Sequence, residues 1–384
     1  MTFWNQGKAL GRWALRAFSS ATRSSRSATP KTVFISQSDD IFANLALEDW
    51  LYRHHDFSQH RILLLWRNGP AVVVGRHQNP WKETHVGALH DKQVVLARRN
   101  SGGGAVYHDQ GNLNLSFLTS REGYNRRTNL TVVANALRRE FGLEATVNDR
   151  DDLVLNGNYK ISGTAAKLGR PNAYHHCTLL ADVDLDNMKG ILNSDDCGIE
   201  TKATDSVRSP VCNLSSMHPG LNVASLMGAV GREFLRSDDR GVDLGKSAIS
   251  RQLGFTLVNP TDDWFPGLEK SRAELASWGW RFGRTPDFTV RREFAVPREM
   301  CVTEGAKLQV QMRVVKGRVA SMSVTVPPGF VSNAPEGEVA VLSGLEGQKF
   351  SEEAVGLVEA AFAKKDKSDK KKRFVAECVR RVVQ

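Results

Sequence analysis

Residues 98–111 read RRNSGGGAVYHDQG, and the reading of this stretch decides how the surrounding chain folds. A glycine run of this kind usually marks a linker. Here it lies between VVLA (94–97) and NLNLSFL (112–118), both strand patterns, so it belongs inside a folded sheet. Without Cβ atoms, Gly102, Gly103 and Gly104 let backbone N–H groups approach a ligand and form an anion-holding concavity. Arg98 and Arg99 put positive charge beside it. A bulge or strained hairpin without a ligand is the competing structural reading. The two familiar nucleotide loops, GxxxxGK[ST] and GxGxxG, are excluded, because each opens a helix and this run leads into a strand.

Working outward, FISQSDDIFANLALEDWLYRHH (34–55) predicts a short strand, an N-cap at Asp39 or Asp40, and a helix. RILLLWRNGPAVVVG (61–75) predicts two strands joined by an NGP hairpin turn, and KETHVGALHDKQ (82–93) a helix. VVLARR and NLNLSFLTS, on either side of the glycines, predict a further strand pair. NLTVVANALRREFGL (129–143) predicts a helix ended by Gly142. Residues 151–183, DDLVLNGNYKISGTAAKLGRPNAYHHCTLLADV, predict three short strands. Residues 188–254 have a helical, loop-rich pattern, and 259–286 a connection plus a helix. From 292 to 329 the pattern alternates like antiparallel strands, and helices are expected around EEAVGLVEAAFAKK (352–365). The expected organisation is a catalytic domain over 31–258 and a smaller α+β domain over 265–384.

At 384 residues, 41% hydrophobic and 24% charged, the composition is that of a globular protein with room for two domains. No stretch approaches the roughly 20 apolar residues that span a bilayer. Part of the net charge of +10 sits in the basic ends, including KKDKSDKKKR (364–373); these read as solvated tails rather than nucleic-acid sites. The five cysteines contain no CxxC pair, which argues against a disulfide framework or structural zinc and fits a reducing compartment. The first thirty residues carry Lys8, Arg12, Arg16, Arg23 and Arg26, many serines, and no acid before Asp39. That is the composition of a mitochondrial transit peptide, with a disordered basic tail as the alternative.

Lys160 sits within the strand pattern YKIS, where a lysine ordinarily faces water. If it faces the same cavity as the glycine loop, its ammonium can hold a phosphate or carbonyl oxygen and stabilise charge developing in acyl transfer. RRNSGGGAVYHDQGNLNLSF, DDLVLNGNYKISGTAAK and SVRSPVCNL together resemble the lipoate-protein ligase A family, over about residues 35–270. That family shares a superfamily with biotin protein ligase and octanoyltransferase. GRHQNPWKE, AYHHCTLL, NPTDDWFPG and the transit-like N-terminus look more specifically like the mitochondrial lipoyltransferases of animals.

The resemblance implies an α+β catalytic domain of the biotin/lipoate ligase type, with mixed sheets flanked by helices, and a C-terminal accessory domain. It implies a site for lipoyl-AMP, lined by Arg99, Ser101, Gly104, Ala105, Val106 and Tyr107, with Ser101 and Tyr107 near phosphate and ribose. Lys160 would hold the lipoyl carbonyl and the phosphate, while Arg150, Thr178 and Val207–Ser209 would enclose the nucleotide. The strand AVVVG and His77 would wall an acyl tunnel. The implied partners are lipoyl domains of 2-oxoacid dehydrogenase acyltransferase subunits and the glycine-cleavage H protein, approached by a monomer in the mitochondrial matrix.

An acyl-adenylate is already activated, so such an enzyme needs no nucleophile of its own; it positions the partners and offsets negative charge. Two other functions compete with transfer: an ATP-dependent ligase that makes its own lipoyl-AMP, for which Mg2+ would accompany ATP, and a non-catalytic lipoyl-domain binder. Cys177 stands where bacterial ligases tend to have glycine, and octanoyltransferases use a cysteine thioester; a strand cysteine is nonetheless expected to be a buried hydrophobe. Adjacent His175 and His176 face opposite ways in a strand, so with His108 they build no metal site.

Overall fold

The computed structural model describes residues 29–192, 198–238, 241, 253–301, 303–330, 337–339, 345–351, 356 and 370–383. The transit-peptide expectation, and all but Gly356 of EEAVGLVEAAFAKK, lie outside them. The chain is α+β and divides into two compact units. The first holds residues up to Val73, Ala97–Leu185 and Val207–Ser277; the second holds Val74–Leu96, Asp186–Ser206 and residues from Trp278 onward. Segments 74–96 and 186–206, which a linear reading gives to the catalytic part, thus group with the C-terminal residues, and the helix Leu268–Ala276 groups with the first unit.

The first unit is built on a six-stranded mixed sheet. Its order is Thr164–Leu168, Asn172–Leu180, Asn112–Ser120, Arg61–Trp66, Lys31–Ser36, Gly254–Val258. The last three strands run parallel to one another and the remaining neighbours are antiparallel. Leu63, Leu65, Leu113, Leu115 and Phe117 from this sheet pack with Val133 and Leu137 of the helix Arg126–Phe141, and with Leu226, Val230 and Phe234 of the helix Val223–Arg236. That burial is the main stabilising term of the unit.

Local signals place the helices well. Asp40 caps Ile41–His54, its side chain accepting from Phe42 N, and Gly142 ends Arg126–Phe141 at φ 66°, a left-handed position suited to glycine. Residues 82–93 break at Thr84 into the helices Pro80–Glu83 and Val86–Asp91.

The NGP hairpin does not form. Both edges of Arg61–Trp66 are already taken, by Lys31–Ser36 and Asn112–Ser120, so Ala71–Val74 leaves that sheet and pairs with Val106–His108. The strand pair expected on either side of the glycines is likewise divided between two sheets, and the loop feeds the short strand Val106–His108 instead. Residues 151–183 form four strands rather than three, because the chain changes sheet at Gly163, between Tyr159–Ser162 and Thr164–Leu168.

The second unit carries a five-stranded sheet including Phe288–Ala295, Lys307–Val315 and Arg318–Val326, the antiparallel strands expected from the alternation. Trp81 enters its core, 5.4 Å from the Phe288 ring and 5.2 Å from that of Phe350.

Candidate active site

Both arginines that open the glycine motif are buried. Arg99 spends its donors on the loop itself. Nη2 donates to the carbonyls of Gly102 and Gly104, both at 2.7 Å, and Nη1 to Val73 O at 2.9 Å. Nε donates to Ser101 Oγ at 2.9 Å. Burial lowers the Arg99 pKa to about 10, which still leaves it charged at neutral pH. Arg99 is therefore a strut that draws the loop carbonyls inward. In a trans peptide the N–H opposes its C=O, so the N–H groups of Gly103 and Ala105 are directed away from the guanidinium.

Gly103 sits at φ 86°, and a Cβ there would stand 3.1 Å from Arg99 Nη2 and 3.5 Å from Ala165 Cβ. Both the left-handed backbone and the close approach require glycine. Gly104, Ala105 and Val106 are half-buried, while Tyr107 is buried in the strand opposite Val72.

Ser101 lies under the loop, in a buried chain that sequence reasoning missed. Its Oγ is 2.8 Å from His176 Nε2, and His176 Nδ1 is 2.8 Å from Glu48 Oε1. Ser116 Oγ donates to Glu48 at 2.5 Å and accepts from Trp66 Nε1 at 2.9 Å. In the neutral imidazole this puts the proton on Nδ1 and leaves Nε2 to accept the Ser101 hydroxyl. Burial alone would raise the Glu48 carboxyl; the pull of His176 and hydrogen bonds from His176 and Ser116 outweigh it and hold the pKa below the ordinary value. Beside this chain His108 accepts from Asn68 Nδ2 at 2.9 Å, and burial drives its pKa down to about 3.

Lys160 is positioned by backbone on one side and by a carboxylate on the other. Its N–H donates to Pro210 O at 2.9 Å and its carbonyl accepts from Cys212 N at 3.3 Å, which brings the 207–212 segment alongside. Its Nζ lies 2.9 Å from Asp152 Oδ1, with the two side chains 21% and 7% exposed. A Cβ on Gly163 would lie 3.7 Å from both Lys160 Nζ and Thr178 Oγ1, so the bare glycine brings this lysine and threonine together. Thr178 Oγ1 accepts from Gly163 N at 3.0 Å. Since Thr164 and Ala165 also floor Gly103, the lysine strand and the glycine loop are joined through residues 163–165.

These motifs are matched in known proteins. Residues 40–235 match the lipoyl protein ligase A/B catalytic domain. A mitochondrial lipoyl amidotransferase LIPT1 of Mus musculus is 42% identical over 294 residues, which cover 76% of this chain and 74% of that one. The chain belongs to the lipoyl protein ligase A/B family. Among solved structures, P. falciparum LipL1 in complex with lipoate aligns with TM-score 0.54 at 22% identity, over 91% of this chain and 98% of that one. A bipartite lipoate protein ligase from Thermoplasma acidophilum, described with its E2 lipoyl domain, gives 0.52 at 23% identity, over 66% and 96%. At these identities the two structures speak for the fold alone, and the fold is that of the lipoate ligases.

Within this lipoyl protein ligase fold the remaining expected residues are unequally placed. Arg150 is exposed in a turn where Asn148 Oδ1 accepts from its N–H at 3.0 Å, and Val207 is 66% exposed. Ser209 is half-buried just before Pro210. Ala71–Val74 is buried, whereas His77 is exposed in the second unit, its carbonyl accepting from Thr204 N at 3.2 Å. Cys177 faces the core, where burial pushes its thiol up to about 12. His175 faces away from His176 and stacks on Phe117 at 5.9 Å. Among the described residues, no group of three or more His, Cys, Asp or Glu side chains could hold a metal.

Proposed function

We propose that this protein transfers a lipoyl group to the ε-amine of a lysine on the lipoyl domains of 2-oxoacid dehydrogenase acyltransferase subunits, in the mitochondrial matrix. The donor is lipoyl-AMP, or the lipoylated H protein of glycine cleavage. The observation that carries this reading is the pairing of Lys160 with Asp152 at the bare Gly163, beside a loop whose carbonyls Arg99 has withdrawn. The likeness to the mouse protein, a mitochondrial lipoyl amidotransferase, supports it.

The chemistry needs little from the enzyme beyond placement. Loop N–H groups around Gly103–Tyr107 receive the adenylate phosphate, with Val207–Ser209, Arg150 and Thr178 around the nucleotide. The Lys160 ammonium bridges the acyl carbonyl oxygen and the phosphate, and offsets the negative charge that grows on both as the amine attacks. No enzyme nucleophile enters, in keeping with the buried Cys177. Magnesium is required only if the protein activates lipoate with ATP.

Purified protein and apo lipoyl domain, supplied in turn with lipoyl-AMP, lipoate plus ATP, or lipoyl-H protein, test this assignment. Transfer from lipoyl-AMP or lipoyl-H protein is expected. Equal rates from lipoate plus ATP would make it a full ligase, and no transfer from any donor would make it a binding protein.

A further inference from the structure

An anion-binding site has an electrostatic reason to exclude carboxylates, yet Asp152 stands 2.9 Å from Lys160, the cation beside Gly163. The fold goes to some length to put it there. Asn148 Oδ1 accepts from the N–H groups of both Arg150 and Asp152, at 3.0 and 2.9 Å, and Asn148 N donates to Asp152 O at 3.0 Å. Asp151 takes a left-handed conformation at φ 58° to close this turn, and its carbonyl accepts from Thr164 Oγ1 at 3.2 Å. Asp152 is then 7% exposed, with Oδ1 on Lys160 and no other side-chain partner among the described residues. A carboxylate held this firmly, with one oxygen uncommitted, is equipped to receive a proton.

The transfer step has a proton to lose. A lysine amine has a pKa of about 10.4, so the acceptor arrives as an ammonium and cannot attack until it is deprotonated. Resting on the transferase reading above, we infer that Asp152 is the proton acceptor for the incoming lysine. The ammonium gives one proton to Asp152 as its freed electron pair forms the C–N bond to the acyl carbon. The C–O bond to phosphate then breaks, its electron pair leaves with AMP, and the nitrogen's second surplus proton passes to solvent. Lys160 keeps its own charge throughout and holds the oxygens, so the two neighbours divide the work: one offsets negative charge, the other takes the proton.

The test is single-turnover transfer from bound lipoyl-AMP to apo lipoyl domain, for wild type and Asp152→Asn, between pH 7 and 9. The Asn148 turn rests on the backbone N–H of residue 152, so this near-isosteric change leaves it in place. A general base is worth about 100-fold or more. Asp152→Asn is therefore expected to be about 100-fold slower at pH 7, with unweakened binding of lipoyl-AMP. The deficit should shrink by about tenfold per pH unit, as the acceptor amine deprotonates unaided. An acceptor carrying a less basic amine should narrow it further at pH 7. A deficit that stays the same at pH 7 and 9, or is absent, overturns the role and leaves transferase function standing. Wild-type protein that transfers nothing from lipoyl-AMP overturns both.

Discussion

Ser101 Oγ lies 2.8 Å from His176 Nε2, although 75 residues separate the two in the chain. Through this contact the glycine loop is anchored to the helix Ile41–His54, because His176 continues to Glu48. Removing His176 leaves the buried Glu48 carboxylate without its imidazole N–H donor. Breaking a buried pair of this kind costs about 3 kcal/mol. His176→Ala is expected to lower the urea midpoint accordingly and to weaken lipoyl-AMP binding by freeing Ser101. The double variant Glu48→Gln/His176→Ala should regain part of the stability, since no uncompensated charge remains, while binding stays weak. Recovery of both together would mean that the chain does not shape the loop.

Gly103→Val adds a branched side chain at φ 86° and drives it against Arg99 Nη2, 3.1 Å from the new Cβ. Relieving the clash means displacing the guanidinium from the Gly102 and Gly104 carbonyls. Adenylate affinity, measured by calorimetry, should fall at least tenfold, with a stability loss of about 1–3 kcal/mol for the strained backbone. Gly102→Ala, where a Cβ meets nothing within 4 Å, should be close to wild type. Equal effects at the two positions would remove the special role of Gly103.

How far the molecule was legible in its sequence follows the range of each interaction. Asp40 and Gly142 act on their own helix ends, so cap chemistry located them. Gly102–Gly104 and Lys160 stand out in the sequence because backbone freedom and a charge within a strand are local anomalies. Glu48 does not stand out in the sequence: it reads as an ordinary polar position of a helix, and its partners come from the distant residues Ser116 and His176, with Ser101 reached only through His176. The NGP turn misled for the same reason, since a turn signal does not report that both edges of Arg61–Trp66 are occupied by distant strands. For Arg99, charge beside a glycine run suggests ligand contact, and only geometry reveals that the loop's own carbonyls take its donors.

Lys160→Ala should reduce transfer by at least 100-fold, the loss typical of removing a group that stabilises developing charge. It should not be silent in stability, as a fully exposed lysine would be, because Asp152 is 7% exposed and loses its partner. A cost of about 1–2 kcal/mol is expected, between exposed and fully buried ion pairs. Lys160→Met/Asp152→Asn should restore most of it and remain inactive. Transfer at wild-type rate in Lys160→Ala would remove the keystone of the mechanism.

Cys177 should be dispensable. With its thiol pushed up to about 12 by burial, almost no thiolate exists at neutral pH. Cys177→Ala is expected to transfer normally, with about 1 kcal/mol lost to the small cavity. In the native protein iodoacetamide should label the half-buried Cys212 well before Cys177. Loss of transfer in a folded Cys177→Ala protein would revive a thioester intermediate.

Acid should destabilise the fold through buried neutral histidines. Burial lowers both His60 and His108 to about 3, the neighbouring His55 adding to the effect on the first, and Arg99 and His176 on the second. In the unfolded chain each titrates at about 6.5. Between these values the unfolded state binds more protons, so stability falls as pH drops below about 6.5 and levels off only near 3. Each histidine should cost about 1.4 kcal/mol per pH unit over that window, or roughly 2 kcal/mol at pH 5. His60 is held by Thr32 Oγ1 at 2.9 Å and His55 Nε2 at 2.8 Å, away from the lysine strand, so His60→Gln isolates one contribution. Urea unfolding at pH 7 and pH 5 should show a smaller acid loss in His60→Gln than in wild type, by about 2 kcal/mol. An identical loss in the two proteins would mean that His60 is protonated in the fold.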